Sequence, residues 1–329
     1  MKKNLYILLT LIISILVIGI YFGVINNKDN NSDLDKLTLG EVTHSVFYAP
    51  MYVAIENGYF EDEGIEIDLV LTSGADKVSA AVLSGDVEIG FAGAESAIYI
   101  YDKGEKDYLQ IFSGLTKRDG QFILSRNKLD NFSLEDLYDK EILVGRKSGM
   151  PALNFLNALK KEGIDQNRIN INYSVDFAAL SGTFIGGTGD YVNLFEPNAL
   201  KLEQEEYGYV VESIGKLSGE MPYTAFYARK SFIKNNTEII KKFTNAINRG
   251  LAFTHNNTAS IIAQVILDQF PDTSLNDLTI LIDRYKQSDS WLETTYISEK
   301  LLQNLEDIMI DNDLLKSYVP YKDLIVNYE

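Results

Sequence analysis

The chain has 329 residues, 46% hydrophobic and 23% charged. This is an ordinary globular composition that excludes wholesale disorder and allows one or two domains. With 47 acidic against 30 basic side chains the formal charge is −17, which argues against nucleic acid, because a phosphate backbone needs a basic face. Cysteine is absent and the only histidines are His44 and His255, so disulfides, thiolate metal sites, cysteine nucleophiles and all-histidine metal centres fall away. Neither a metal nor a cofactor is expected.

The first 28 residues stand apart. Lys2 and Lys3 precede a nearly unbroken apolar run from Leu5 to Ile25. At about 1.5 Å per residue that run makes roughly 31 Å of helix, enough to cross a bilayer. The lysine pair would stay in the cytoplasm and put the remainder outside. An uncleaved signal anchor over 5–25 is therefore expected, with a cleaved signal peptide as the alternative, and residues 29–37 follow as a polar tether. Val17-Ile18-Gly19 resembles the approach to a bacterial lipoprotein cleavage site, but Ile20 stands where lipid attachment needs cysteine. The first 28 residues hold three lysines and no acid, so the exported remainder carries 27 basic and 47 acidic side chains, a formal −20.

Beyond the tether, short apolar runs alternate with amphipathic stretches. Thr38–Val46 reads as a strand and Ala49–Asn57 as a helix closed by Gly58. Ile65–Leu71 reads as a strand, Asp76–Leu83 as a helix, Val87–Phe91 as a strand and Glu95–Asp102 as a helix. Tyr108–Gly114, Gln121–Arg126 and Ile142–Gly145 are strand-like, and Pro151–Glu162 is a helix ended by Gly163. Tyr191–Phe195 is a strand, Asn198–Glu206 a helix and Tyr223–Ala228 a strand. Helices are then predicted over about 231–255, 257–269, 274–289 and 294–311. The alternation predicts parallel α/β sheets.

Four strand ends feed the same kind of corner: Ser73-Gly74-Ala75-Asp76, Gly93-Ala94-Glu95-Ser96, Lys147-Ser148-Gly149-Met150 and Glu196-Pro197-Asn198. Ligands of open α/β sheets sit at such carboxyl ends, where helix N-termini offer free N–H groups. Chemical motifs are scarce. Gly145-Arg146-Lys147-Ser148 has the wrong spacing for a phosphate loop, and Gly186-Gly187-Thr188-Gly189 lacks the third glycine of a dinucleotide fingerprint. There is no Gly-x-Ser-x-Gly elbow. Binding is favoured over catalysis, and no catalytic residue is expected.

Several blocks resemble a known family. His44-Ser45-Val46-Phe47-Tyr48-Ala49-Pro50-Met51-Tyr52-Val53-Ala54, Glu56-Asn57-Gly58-Tyr59-Phe60 and Glu63-Gly64-Ile65 are similar to the opening of solute-binding proteins of ABC importers. The branch is the one serving thiamine-pyrimidine precursors, sulfonates, taurine and nitrate. Leu83-Ser84-Gly85-Asp86-Val87-Glu88-Ile89-Gly90, Gly189-Asp190-Tyr191, Phe195-Glu196-Pro197 and Pro222-Tyr223-Thr224-Ala225-Phe226 resemble later blocks of it. The match spans about 38–325.

This resemblance implies an α/β, two-lobed fold of the type II periplasmic-binding-protein kind, closing on ligand through two hinge crossovers, placed near Phe122–Arg126 and Met221–Ala225. Lobe one would be 38–124 plus 224–329, and lobe two 125–223. It implies a monomeric, non-enzymatic solute carrier with three partners: a small-molecule ligand, an ABC permease and that permease's ATPase. It would work at the extracytoplasmic face of a bacterial membrane, held there by its N-terminal helix, or be secreted or periplasmic if the signal is cut. Two readings of other classes compete. One is a pyridoxal-phosphate-dependent pyrimidine-synthesising enzyme, whose family carries a cysteine-rich motif that this chain lacks. The other is a sensory ectodomain.

The candidate ligand-binding residues are those at strand ends and loop tips: His44, Phe47 and Tyr48; Gly93, Ala94 and Glu95; Arg118, with Asp119 beside it; Lys147, Ser148 and Gly149; Asp190, Tyr191 and Glu196; and Tyr223. Glu95, Asp190 and Glu196 facing a cleft would suit amino or ring-nitrogen donors, whereas carboxylates facing an oxyanion are costly. Tyr48, Tyr191, Phe195 and Tyr223 could stack a flat ring. The expected ligand is a heteroaromatic amine of the aminopyrimidine kind. Arg118, Arg146 and Lys147 keep a sulfonate, taurine or nitrate ligand as the alternative.

Overall fold

The computed structural model describes residues 34–72 and 74–328. The expected anchor over 5–25 lies outside them, as does Ser73 of the first corner. Among the described residues no helix is long and apolar enough to cross a membrane.

The first stretch of chain runs β1 (Asp35–Glu41), α1 (Ala49–Glu56), β2 (Ile65–Leu71), α2 (Ala75–Ser84), β3 (Ile89–Gly93), α3 (Glu95–Asp102) and β4 (Leu109–Thr116). The second runs β5 (Phe122–Ser125), β6 (Glu141–Leu143), α4 (Met150–Lys161), β7 (Asn170–Asn172), β8 (Tyr191–Leu194), α5 (Asn198–Gln204) and β9 (Tyr209–Ser213). Then come β10 (Thr224–Arg229) and the helices α6 (Thr237–Asn256), α7 (Ala259–Val265), α8 (Leu275–Gln287) and α9 (Glu299–Asp311). The strands form two five-stranded sheets, ordered β2-β1-β3-β10-β4 and β7-β6-β8-β5-β9.

Differences from expectation are local. β1 begins inside the stretch read as tether and stops at Glu41, because Ser45 caps a tight turn over Val46–Tyr48 by accepting from the Phe47 N–H. The two edge strands of the second sheet are not among the predicted elements: β7 is three residues long and polar, whereas β9 does carry an apolar signal in Tyr209, Val210 and Val211. The predicted 231–255 helix breaks at Asn236.

The sheets are mixed, not purely parallel. β1 and β3 are parallel, as is β6 with both β7 and β8, but β10 is antiparallel to β3 and β4, and β5 is antiparallel to β8 and β9. The reason lies in the connections. β5 and β10 are the strands that arrive from the other sheet, and each starts where its neighbours end. Thr224 pairs with Gly93 and Thr116, and Phe122 pairs with Leu194 and Ser213. The carboxyl ends of both sheets therefore meet along one seam. The connecting segments are 117–121 and 219–223, tied to each other and to the strand ends: Met221 N–H donates to the Lys117 carbonyl (2.9 Å) and Tyr223 N–H to the Thr116 carbonyl (3.0 Å). Phe122–Arg126, expected as a crossover, instead begins with β5 of the second sheet.

The larger apolar core joins the first sheet and its helices to Met150, Leu153, Val192, Leu194 and Phe195 from the second, so it runs through the seam. A smaller core lies behind the second sheet around Ile142, Phe155 and Leu159. On the far side of the first sheet, α1 lies against α6 with Gly250 beneath Pro50.

Candidate functional site

Polar atoms that are buried without a hydrogen-bond partner collect along the seam. They include Glu95 Oε2 at the start of α3, Asp119 Oδ2 and Gln121 Oε1 on the first connection, and the Tyr223 hydroxyl on the second. Asn154 Oδ1 on α4 and both side-chain polar atoms of Asn193 on β8 add the second lobe's share. Unpaired buried groups each cost about 1–3 kcal/mol, so a group of them where two lobes close marks a place built to meet something polar. Acceptors outnumber donors in this group.

The acids at this seam are held away from their ordinary chemistry. Burial pushes the Glu95 carboxyl up to about 7, against the pull of nearby backbone amides, among them that of Met150, and of Arg146. Burial raises Asp119 well above the carboxylate range, although the Gln121 N–H donates to its Oδ1 at 2.6 Å and the Tyr223 hydroxyl also favours its charged form. Tyr48 and Tyr223 are raised too, first by burial and then by the charges of neighbouring acids, Asp119 and Glu95 among them. Their shared influence places Tyr48, Glu95, Asp119 and Tyr223 in one neighbourhood.

Aromatic rings wall it. Phe47 is fully buried and touches Tyr48 (centroids 5.4 Å), Tyr223 (5.7 Å, edge-on) and, from the second lobe, Phe195 (5.5 Å). Trp291 fixes the Phe47 backbone by donating Nε1–H to its carbonyl at 2.7 Å. Gly120 is required here, since a Cβ would lie 2.5 Å from the Phe47 ring.

Of the expected site residues, Phe47, Tyr48, Gly93, Ala94, Glu95, Gly149 and Tyr223 lie on this seam. Ser148 reaches it through its carbonyl, which accepts from the Tyr99 hydroxyl across the lobes at 3.1 Å. Lys147 is exposed over the Tyr173 ring.

Five others are engaged with partners of their own. His44 turns away into a set with Glu41, Tyr52 and the Gln269 carbonyl, beside a hollow of about 420 Å³ lined also by Ile67, Leu69 and Leu71. Arg118 holds Glu220 (2.8 Å) and Asp289 (3.6 Å) at the connections through Nη2, while its Nε is buried without a hydrogen-bond partner. Asp190 precedes β8, at the wrong end of the strand, and is exposed, with its carboxylate capping the Glu141 N–H. Tyr191, next along, packs in the smaller core.

Glu196 is buried, but its carboxylate is already satisfied. Arg284 donates to Oε1 at 2.6 Å and the Leu200 N–H to Oε2 at 2.8 Å. The Tyr285 hydroxyl accepts from its N–H and Ser45 donates to its carbonyl. Three residues of the first lobe thus grip one residue of the second, which makes Glu196 a latch. Asn154, Asn193 and Arg284 were not anticipated. Asn193 did carry a signal, as the one carboxamide inside the apolar run Tyr191–Leu194.

Two α/β lobes joined by two connections and closed over a polar seam define a periplasmic-binding-protein fold. The alkanesulfonate-binding protein SsuA from Xanthomonas axonopodis pv. citri bound to MOPS superposes with a TM-score of 0.71 at 15% identity, covering 89% of this chain and 98% of that one. The periplasmic nitrate-binding protein NrtA from Synechocystis PCC 6803 gives 0.72 at 15% identity, covering 89% and 86%. At these identities the likeness shows the fold. Residues 46–260 match the family described as NMT1/THI5 like. YtlA of Bacillus subtilis (strain 168), whose name carries a provisional assignment as a binding protein, is 38% identical over 293 residues, covering 89% of this chain and 88% of that one. The chain belongs to the NMT1/THI5 like family.

Proposed function

We propose that the chain is the solute-binding component of an ABC importer and captures a small heteroaromatic amine, of the aminopyrimidine kind, between its closing lobes. The observation that carries the reading is the acceptor-rich set of unpaired buried atoms at the seam, Glu95 Oε2, Asp119 Oδ2, Gln121 Oε1 and Asn154 Oδ1, beside the rings of Phe47, Tyr48 and Tyr223. A flat ring bearing N–H groups fills both requirements, and an oxyanion facing those acids does not. The roles named for the fold relatives, alkanesulfonate and nitrate binding, support solute capture as the general activity. They also favour an anion as the second reading, in which Arg146 and the start of α4 would receive it.

In this function the closed form is what a permease and its ATPase recognise, because a partner that prefers one conformation makes ligand binding a signal. The protein works as a monomer outside the cytoplasm, carried by the apolar run 5–25. Mass spectrometry of small molecules released from the purified protein, followed by thermal-shift titration, tests the ligand. Aminopyrimidines should raise the melting temperature, and a ligand near a hundred times its Kd adds about 2.7 kcal/mol. A response to taurine or alkanesulfonates with none to pyrimidines overturns this ligand and leaves the second reading.

A further inference from the structure

We propose that Glu95 sets the charge class of the ligand: from the first lobe its carboxyl occupies the amino end of α4 in the second, where an oxyanion would otherwise bind. The proposal rests on the seam being the ligand site.

The amino end of a helix attracts anions, because its first N–H groups lack partners and the helix dipole is positive there. α4 is twelve residues long, and its cap residue, Gly149, has no side chain to satisfy those groups. The structure supplies an anion from the opposite lobe instead. Glu95 is 2% exposed, and its Oε2 has no hydrogen-bond partner. A Cβ on Gly93 would lie 2.0 Å from that oxygen and 2.8 Å from Met150 Cγ. No methyl fits there, because Glu95 and the first residue of α4 both crowd the same face of Gly93, and the N–H of Met150 favours the charged carboxyl. The corner is held to the first lobe by Tyr99 donating to the Ser148 carbonyl and by Arg146 on Asp76 (3.2 Å).

With this helix end filled by the protein's own carboxyl, an incoming sulfonate or nitrate meets a like charge or an acid that must stay protonated. A ligand N–H meets an acceptor with a vacant lone pair on Oε2. The charged and titratable groups acting on or beside Glu95 are Arg146, Tyr48, Tyr99, Asp119, Tyr223 and Tyr227. Of these, Arg146 favours the charged carboxyl, while burial raises Asp119 well above the ordinary carboxylate range.

Isothermal titration of the full chain with 4-amino-5-hydroxymethyl-2-methylpyrimidine, methanesulfonate and nitrate tests this, for the wild type and Glu95→Gln. The wild type should bind the pyrimidine and reject both anions near neutral pH. Glu95→Gln should shift the pyrimidine-to-anion affinity ratio by about a hundredfold, tenfold from each side. The wild type itself offers a second readout should the variant fold poorly. Anion binding should emerge as pH falls from about 8.5 to about 5.5, as Glu95 takes up its proton. An affinity ratio in Glu95→Gln within about threefold of the wild type overturns the proposal, as does anion binding in the wild type that is unchanged across that pH range. A wild type that binds none of the three, and releases no small molecule on denaturation, sinks the seam as the ligand site instead.

Discussion

Arg284→Ala removes the charged part of the first lobe's grip on Glu196 and leaves the contacts of Tyr285 and Ser45. The guanidinium sits 2.6 Å from Glu196 Oε1 and 2.6 Å from Glu203 Oε2, with the Glu196 side chain fully buried and Arg284 a quarter exposed. A hydrogen bond to a charged group contributes about 1.5–3 kcal/mol. Both bonds run between lobes, so they exist only in the closed form. Their loss leaves the open form, where Glu196 meets water, almost untouched. Discounting for the exposure of Arg284, the closed form should lose about 2 kcal/mol relative to the open one, or roughly 30-fold in ligand affinity. The assay is a double-mutant cycle on the Kd for the aminopyrimidine probe, with Arg284→Ala, Glu196→Gln and the pair. Both single variants remove the Arg284–Glu196 contact, so the pair should cost less than the two singles together by about 1 kcal/mol. Wild-type affinity in Arg284→Ala, or strict additivity in the cycle, refutes the latch.

His44 offers a pH test of stability. Its Nδ1 lies 2.7 Å from a Glu41 carboxylate oxygen and its Nε2 2.8 Å from the Gln269 carbonyl, two acceptors that together hold a doubly protonated ring. The Glu41 hydrogen bond raises its pKa above 6.5 against the opposing effect of burial. A raised histidine stabilises fully below its unfolded value, near 6.5, and loses that contribution as pH rises through the folded value. In urea unfolding across this range, the wild type should lose stability with rising pH more steeply than His44→Gln; parallel curves would show that the ring carries no charge-linked stability. Gly250→Ala tests the α1–α6 contact. The added Cβ would sit 2.1 Å from the Pro50 carbonyl oxygen, a backbone atom that cannot swing aside. Overpacking of this kind costs about 1–3 kcal/mol, read as a lower urea midpoint at unchanged slope, and an unmoved midpoint would mean that α1 yields freely.

The local elements were legible in the chain because their causes are local. Ile65–Leu71 and Glu95–Asp102 fall where apolar period and turn residues put them, and the strand-end corners at Gly93 and Gly149 lie on the seam. The absence of cysteine and the −17 charge are likewise properties of composition. The use of each polar group was not legible, because it depends on partners far away in sequence. Glu95, Asp190 and Glu196 look alike as acids at loop corners. One remains unpaired and buried, one caps a backbone N–H at the outer end of β8, and one is neutralised by Arg284, 88 residues later. His44 is drawn off by a carbonyl 225 residues away. The antiparallel entry of β5 and β10 is likewise set by where the connections cross. Periodicity and turn chemistry act over a few residues and can be read in order along the chain. Burial and pairing are decided only when distant segments meet, and in this protein they decide which carboxyls are left for a ligand.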